Sequence, residues 1–145
     1  MHMRNNEWLE NRLEFLQRKY FADLNIPNTL SVKFGRRAKT RLGSIKKVFP
    51  KSLLERMTGK FETEILITGY FKDARITEYV IDATIGHELC HYAHGFSSPL
   101  PQITNHPHRG GLVSKELKKR GMGEIEKKQK KWIKDNWQNY LAKSE

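Results

Sequence analysis

Residues 84–95 read Thr84-Ile85-Gly86-His87-Glu88-Leu89-Cys90-His91-Tyr92-Ala93-His94-Gly95. His87 and His91 stand four apart, so on a helix of about 3.6 residues per turn both imidazoles leave the same face. Such a face can hold one metal ion. Zinc takes neutral imidazole nitrogen at about 2.0–2.1 Å, and histidines one turn apart reach one ion without bending the backbone. Glu88 is rotated about 100° from His87, which sets its carboxylate beside an open coordination position, where it can accept a proton from water. The spacing predicts a metal-dependent hydrolytic centre on a helix. Upstream, Ile76, Val80, Ile81, Ala83, Thr84 and Ile85 are apolar or small at spacings that bury a helix from about residue 76, with Asp73 or Thr77 to cap it and Gly95 to stop it.

Composition bounds the setting. A chain of 145 residues is long enough for one closed core and predicts a single domain over 1–145. Its lone cysteine, Cys90, excludes an intrachain disulfide and a zinc ribbon built from paired cysteines, and it points to a reducing, intracellular compartment. No run approaches the roughly 18 apolar residues of a membrane span, and the amino end has no apolar signal region. The expectation is a soluble cytoplasmic protein with no membrane partner; oligomeric state is not legible. The formal charge of +11 is unevenly spread: residues 33 to 60 hold ten Lys or Arg against one Glu, and residues 61 to 114 hold three against six acids. Basic sequence therefore flanks a metal motif that is not basic itself, which suggests a polyanion held beside the site, nucleic acid first.

Working outward, Asn6 opens an amino-terminal helix with Trp8, Leu9, Leu13, Phe15, Leu16, Tyr20 and Leu24 at helical spacing, closed by Asn25-Ile26-Pro27-Asn28. Leu30-Ser31-Val32-Lys33-Phe34 alternates with period two, and a second extended stretch runs through Leu42, Ile45 and Val48. Together these predict a hairpin whose basic connection carries Arg36, Arg37, Lys39 and Arg41, followed by Lys46 and Lys47. These six cations are candidate nucleic-acid contacts, although Lys and Arg also protect exposed sheet edges. A connection with a helical turn at Leu53-Leu54-Glu55-Arg56-Met57 leads to a third strand at Glu64-Ile65-Leu66-Ile67-Thr68.

A catalytic zinc site needs a third protein ligand and an open position. Three histidines are available downstream. His108 stands where a helical pattern resumes, next to Gly110 and Gly111, which let the backbone come close to the first helix. His106 precedes a proline and is held extended, and His94 reaches the same ion only if its helix breaks. His108 is the first choice, His106 the second and His94 the third.

The order of these elements carries a resemblance. It runs from a helix ending in Tyr20-Phe21, through Arg41-Leu42-Gly43-Ser44-Ile45, the strand Ile65-Leu66-Ile67 and His87-Glu88-Leu89-Cys90-His91, to His108 four residues before Leu112. Over residues 6 to 121 the chain resembles the SprT-like zinc metallopeptidase domain, the group that includes the Spartan proteases acting on DNA-protein crosslinks. The resemblance implies zinc held by His87, His91 and His108, with Glu88 as catalytic acid-base. It also implies an α+β zincin-like fold in which a small three-stranded antiparallel sheet covers the catalytic helices. Two features depart from the family pattern. Arg109 and Leu112 stand where relatives usually carry glycine and an aromatic residue, and the cysteine-rich zinc ribbon of many relatives has no counterpart.

At the carboxyl end, about residues 123–142, Ile125, Trp132, Ile133, Trp137, Tyr140 and Leu141 line one stripe of a helix that is otherwise rich in lysine. The stripe is expected to complete the core. Lys127, Lys130, Lys131 and Lys134 then face outward as further candidate nucleic-acid contacts. The expected activity is zinc-dependent hydrolysis of a protein substrate that is DNA-bound or DNA-crosslinked, with single-stranded DNA a candidate partner and a nucleoid- or DNA-associated location. Two alternatives stand beside it: a DNA-binding module with a structural or vestigial metal site, and a zinc peptidase with no nucleic-acid partner.

Overall fold

The computed structural model describes residues 3–144. Helix α1 (Asn6–Tyr20) is capped by Asn5, one residue earlier than expected, whose side chain accepts from the Trp8 N–H. Its buried face carries Leu9, Leu13 and Leu16. Strands β1 (Leu30–Phe34) and β2 (Gly43–Val48) follow, then a one-turn helix α2 (Leu53–Arg56) and strand β3 (Glu62–Ile67). A 3-10 turn (Gly69–Lys72) leads into the central helix α3 (Glu78–Ala93), and a second (Arg109–Gly111) into α4 (Leu112–Lys119) and α5 (Gly123–Lys143). No helix among the described residues is long and apolar enough to cross a membrane.

The fold is α+β as expected, but the sheet is mixed rather than antiparallel, and β1 and β2 do not form a hairpin. The strand order is β1-β3-β2: β1 pairs parallel to β3 with Val32 opposite Ile65, and β2 pairs antiparallel to it with Ile45 opposite Ile65. The basic connection does not fold back. It crosses the end of β3, where the Thr68 hydroxyl donates to the Ala38 carbonyl at 2.7 Å and the Gly69 N–H to the Arg36 carbonyl at 2.9 Å. Gly69 permits that crossing, since a Cβ there would lie 2.8 Å from the Gly35 carbonyl oxygen. The driving force is burial. β3 buries Thr63, Ile65 and Ile67 against the helices, so it takes the centre, whereas the lysine-bearing strands go to the edges.

The two edges differ. Along β1 the outward N–H groups are already bonded by α1, Val32 to Glu10 Oε1 at 3.0 Å and Phe34 to Asn6 Oδ1 at 2.9 Å. β2 is the other edge of the sheet, and its first residues run beside α3.

Helix α3 is enclosed by α1, the sheet, α4 and α5, which is why it is apolar almost all round. Arg12 on α1 clamps Asp82 on α3 through bonds of 2.9 and 2.6 Å. Gly86 lets α4 and α5 approach, because a Cβ there would meet Met122 Cε at 2.7 Å. Gly95 (φ +87°) ends the helical path where a Cβ would strike the Pro101 carbonyl. The stripe of α5 closes the core as expected: Trp137 and Leu141 are buried, Tyr70 meets Trp137 edge-on, and Tyr140 stacks on Trp137 at 5.5 Å.

Candidate metal centre

On α3 the four-residue spacing does what the helix period requires. His87 and His91 present their Nε2 atoms 3.1 Å apart, with rings at 79°. The third partner is His108, at the start of the turn before α4, whose Nε2 lies 3.1 Å from that of His91. The ligand atoms of these three histidines all lie within 4.8 Å of one another, close enough for one metal ion. Gly110 (φ +64°) and Gly111 (φ +68°) turn the chain so that His108 arrives, but nothing lies within 4 Å of a Cβ at either. Their role is therefore backbone conformation, not the close approach expected from sequence.

The donor set fits a cation better than it fits itself. A neutral ring nitrogen offers either one N–H or one lone pair. His91 Nε2 can therefore satisfy only one of two neighbours at hydrogen-bond distance, and a cation at the centre satisfies all three lone pairs. Burial, then the nearby His108, lowers the His87 pKa to about 4. Burial, then His87 and His108, lowers that of His91 to about 4 as well. Both rings are thus neutral at pH 7, the form that binds a metal. His91 Nδ1 is buried without a hydrogen-bond partner.

Glu88 sits beside this cluster, buried, and burial pushes its pKa up to about 7 against a weaker opposing pull from Arg41. A cleft of about 490 Å³ opens onto the cluster. On the α3 side it is lined by Thr84, His87, Glu88 and His91, and on the opposite side by Arg41, Gly43, Ser44 and Ile45 from β2 and its approach. Gly43 is pressed against α3, since a Cβ there would lie 2.7 Å from Thr84 Cγ2 and 3.2 Å from Glu88 Oε1. Ser97, also in the cleft wall, has a left-handed backbone (φ +56°); its carbonyl accepts from Thr63 at 2.7 Å and its hydroxyl donates to the Ile45 carbonyl at 3.4 Å. A non-glycine residue held there is strained and fixed by its surroundings.

The other expected ligands lie elsewhere. His106 is exposed in the preceding loop. His94 is buried, with Nε2 3.2 Å from Glu116, whose carboxylate also takes Arg120 at 2.7 Å, and Arg120 continues to Asp23 at 2.7 Å. That chain ties the end of α3 to α4 and to the residues after α1. Tyr92, on the same helix α3, donates to Asn28 at 2.5 Å.

Of the expected nucleic-acid cations, Arg41 stands in the cleft wall. Arg36, Arg37, Lys39, Lys46, Lys47, Lys127, Lys130, Lys131 and Lys134 are exposed. The two basic segments meet: the Trp137 indole N–H donates to the Lys39 carbonyl at 2.8 Å, and the cleft is bordered by Thr40 and Arg41 on one side and by Gln129 and Ile133 of α5 on another. Several of these cations have protein partners. Lys46 pairs with Glu64 at 3.5 Å, Lys130 with Glu126 at 3.4 Å and Lys131 with Asp135 at 2.6 Å, while Arg37 lies over Tyr70 and Lys47 over Phe61.

Sequence reasoning missed Gln129, which enters the cleft wall and donates to Thr84 Oγ1 at 2.7 Å and to the Val80 carbonyl at 3.1 Å. Its signal was a polar residue four places from both Ile125 and Ile133, inside an apolar stripe. Comparison with the models of known protein families, with characterised proteins and with solved structures finds no match to this chain.

Proposed function

We propose that this chain is a zinc-dependent metalloendopeptidase of the SprT-like, zincin-like type, acting on DNA-bound or DNA-crosslinked proteins. The observation that carries the reading is a buried carboxyl, Glu88, set beside three converging imidazoles at one wall of an open cleft. His87, His91 and His108 would hold the ion. Zinc bound there supplies Lewis-acid polarisation of a scissile carbonyl and acidifies water.

The chain's own groups do the rest. Glu88, with a pKa near 7, accepts the proton of the attacking water at its carboxylate and delivers it to the leaving amine. An extended polypeptide can lie along the outer edge of β2, whose residues Gly43 to Ile45 border the cleft, and take main-chain hydrogen bonds there. Burial of His87 and His91 keeps both rings unprotonated at neutral pH, ready to ligate.

The DNA part of the reading is supported by the two basic segments meeting at the cleft rim. A second reading, a peptidase with no nucleic-acid partner, is favoured by the pairing of Lys46, Lys130 and Lys131 with carboxylates of the same chain. One assay tests both: cleavage of a DNA-binding protein by the zinc-loaded chain, with and without single-stranded DNA, alongside Glu88→Gln. We expect cleavage that DNA accelerates and that the glutamine variant lacks while retaining zinc. Cleavage indifferent to DNA selects the second reading, and undiminished cleavage by Glu88→Gln removes the glutamate from its role.

A further inference from the structure

Between β2 and β3 the chain stands clear of the molecule, and every residue from Lys51 to Lys60 is exposed. Leu53, Leu54 and Met57 are 74%, 77% and 76% exposed, and Phe49 beside them is 53% exposed. Met57, the C-cap of α2, follows Leu53 by four residues and Leu54 by three, so it neighbours both on one side of the turn. Scattered apolar side chains on a surface need no explanation, but four in nine residues on one projecting knob mark a contact site.

The knob is also cationic. Residues 46 to 60 carry Lys46, Lys47, Lys51, Arg56 and Lys60 against the single carboxylate of Glu55. Beside α2 lies a second cleft of about 660 Å³, walled by Val48, Phe49, Glu55, Lys60, Phe61 and Pro99. Strand β2 joins the two clefts: Ile45 lines the metal cleft and Val48 the second, roughly 10 Å further along the strand. The loop after α3 borders both, through Phe96 and Ser97 at one and Pro99 at the other.

We propose that this knob docks a second segment of the polypeptide held in the metal cleft, a segment of apolar residues interspersed with Asp and Glu. The proposal rests on the reading of that cleft as a polypeptide site. A chain paired along β2 leaves the metal cleft over Phe49 and reaches Leu53, Leu54 and Met57, where its apolar side chains are buried and its carboxylates meet the surrounding lysines. A second copy of this chain fits poorly, because two rims of the same sign would face each other. Nucleic acid fits poorly too, because three of the four apolar side chains are leucine or methionine, and Phe49 is the single ring among them on which a base could stack. A lipid surface would touch the projecting tip and leave the cleft beside it empty.

The test uses the full chain carrying Glu88→Gln, which removes cleavage from the measurement, and reads binding by fluorescence anisotropy with and without zinc. The ligands are a short peptide of alternating leucine and glutamate, its leucine-lysine counterpart, a short oligothymidylate, and phosphatidylserine vesicles. We expect the leucine-glutamate peptide to bind at least about tenfold tighter than the leucine-lysine one, and to lose at least about tenfold in a variant with Leu53→Ser, Leu54→Ser and Met57→Ser. Because those side chains are about three-quarters exposed, the triple variant keeps the parent's melting temperature. No binding of the leucine-glutamate peptide, equal affinity in parent and triple variant, or a loss confined to the oligonucleotide or the vesicles overturns the proposal. Since the readout needs neither cleavage nor metal, a chain that proves not to be a peptidase can still pass this test. A chain that cleaves but does not dock fails this test alone.

Discussion

The Nε2 atoms of His91 and His108 lie 3.1 Å apart although 17 positions separate the two residues. Their meeting depends on the turn through Gly110 and Gly111 that returns the chain to α3 before α4 begins. Because His108 is exposed, His108→Ala should leave the metal-free fold intact. In zinc, the parent's melting temperature should rise, with a stabilisation of about 2.7 kcal/mol at a hundredfold excess over the dissociation constant, and the variant's should rise far less. A His94→Gln control should keep the full zinc response, since that ring is engaged with Glu116. Differential scanning fluorimetry across a zinc titration checks both, and an undiminished response in His108→Ala would place the third ligand elsewhere.

Glu88 gives a pH signature in the metal-free protein. Its pKa is raised by burial from 4.5 to about 7, so the folded state holds the proton more tightly than the unfolded chain does. Its contribution to stability is therefore fully present below pH 4.5, declines as pH rises, and is lost above pH 7. Glutamine stays neutral throughout. Glu88→Gln should then match the parent below pH 4.5 and exceed it by about 3 kcal/mol above pH 7. His87 and His91 act in the opposite sense, since their lowered pKa values keep stability full above pH 6.5 and let it fall as pH drops through 4, but both proteins share that trend. Urea unfolding of the two proteins from pH 4 to 8 isolates the glutamate, and a constant difference across that range would contradict the burial argument.

The metal cluster was most legible where its geometry is local, and His108, 17 positions beyond His91, was reached only by ranking three downstream histidines. His87, Glu88 and His91 sit within five residues of one helix, so the helical period alone fixes their directions. Sheet order escaped because alternation in Leu30–Phe34 and the extended stretch through Leu42, Ile45 and Val48 mark strands without saying which neighbour each takes. That choice was made by the greater burial of β3 and by the crossing at Gly69. Arg41 comes to the cleft from an element far from α3 in the chain, a meeting that leaves no periodic trace, and Gln129 showed only as a polar residue inside the stripe of α5, which does not say what it meets. The knob read as a plain connection because exposure, not apolar content, is what distinguishes Leu53, Leu54 and Met57 from core residues.

Gly43 should be sensitive to any side chain. With a Cβ 2.7 Å from Thr84 Cγ2 and 3.2 Å from Glu88 Oε1, Gly43→Val must push β2 away from α3 or turn the carboxylate aside. Overpacking of this kind costs about 1–3 kcal/mol. Any peptidase activity should drop more steeply than stability does, because the displaced groups are the cleft wall and the proton acceptor. Thermal melts beside cleavage rates check the ratio. Gly59, a glycine with open space around it, gives a contrasting case: Gly59→Ala meets no neighbouring atom and should affect stability only through its positive φ.

The clamp between Arg12 and Asp82 predicts an asymmetry between breaking a charge pair and replacing it. Two bonds of 2.9 and 2.6 Å join α1 to the second turn of α3, with Asp82 the more buried partner at 10% side-chain exposure against 23%. Arg12→Met leaves a carboxylate with little access to water and should cost about 3 kcal/mol or more, whereas Asp82→Leu leaves a guanidinium that retains solvent and Glu78 at 3.7 Å, and should cost less. The double variant puts apolar contact in place of the pair and should recover much of the loss. Its stability in urea should lie above that of Arg12→Met, giving a coupling of about 1 to 3 kcal/mol in a double-mutant cycle. Additive losses would mean that the two side chains stabilise the helix contact independently, with no energy specific to their pairing.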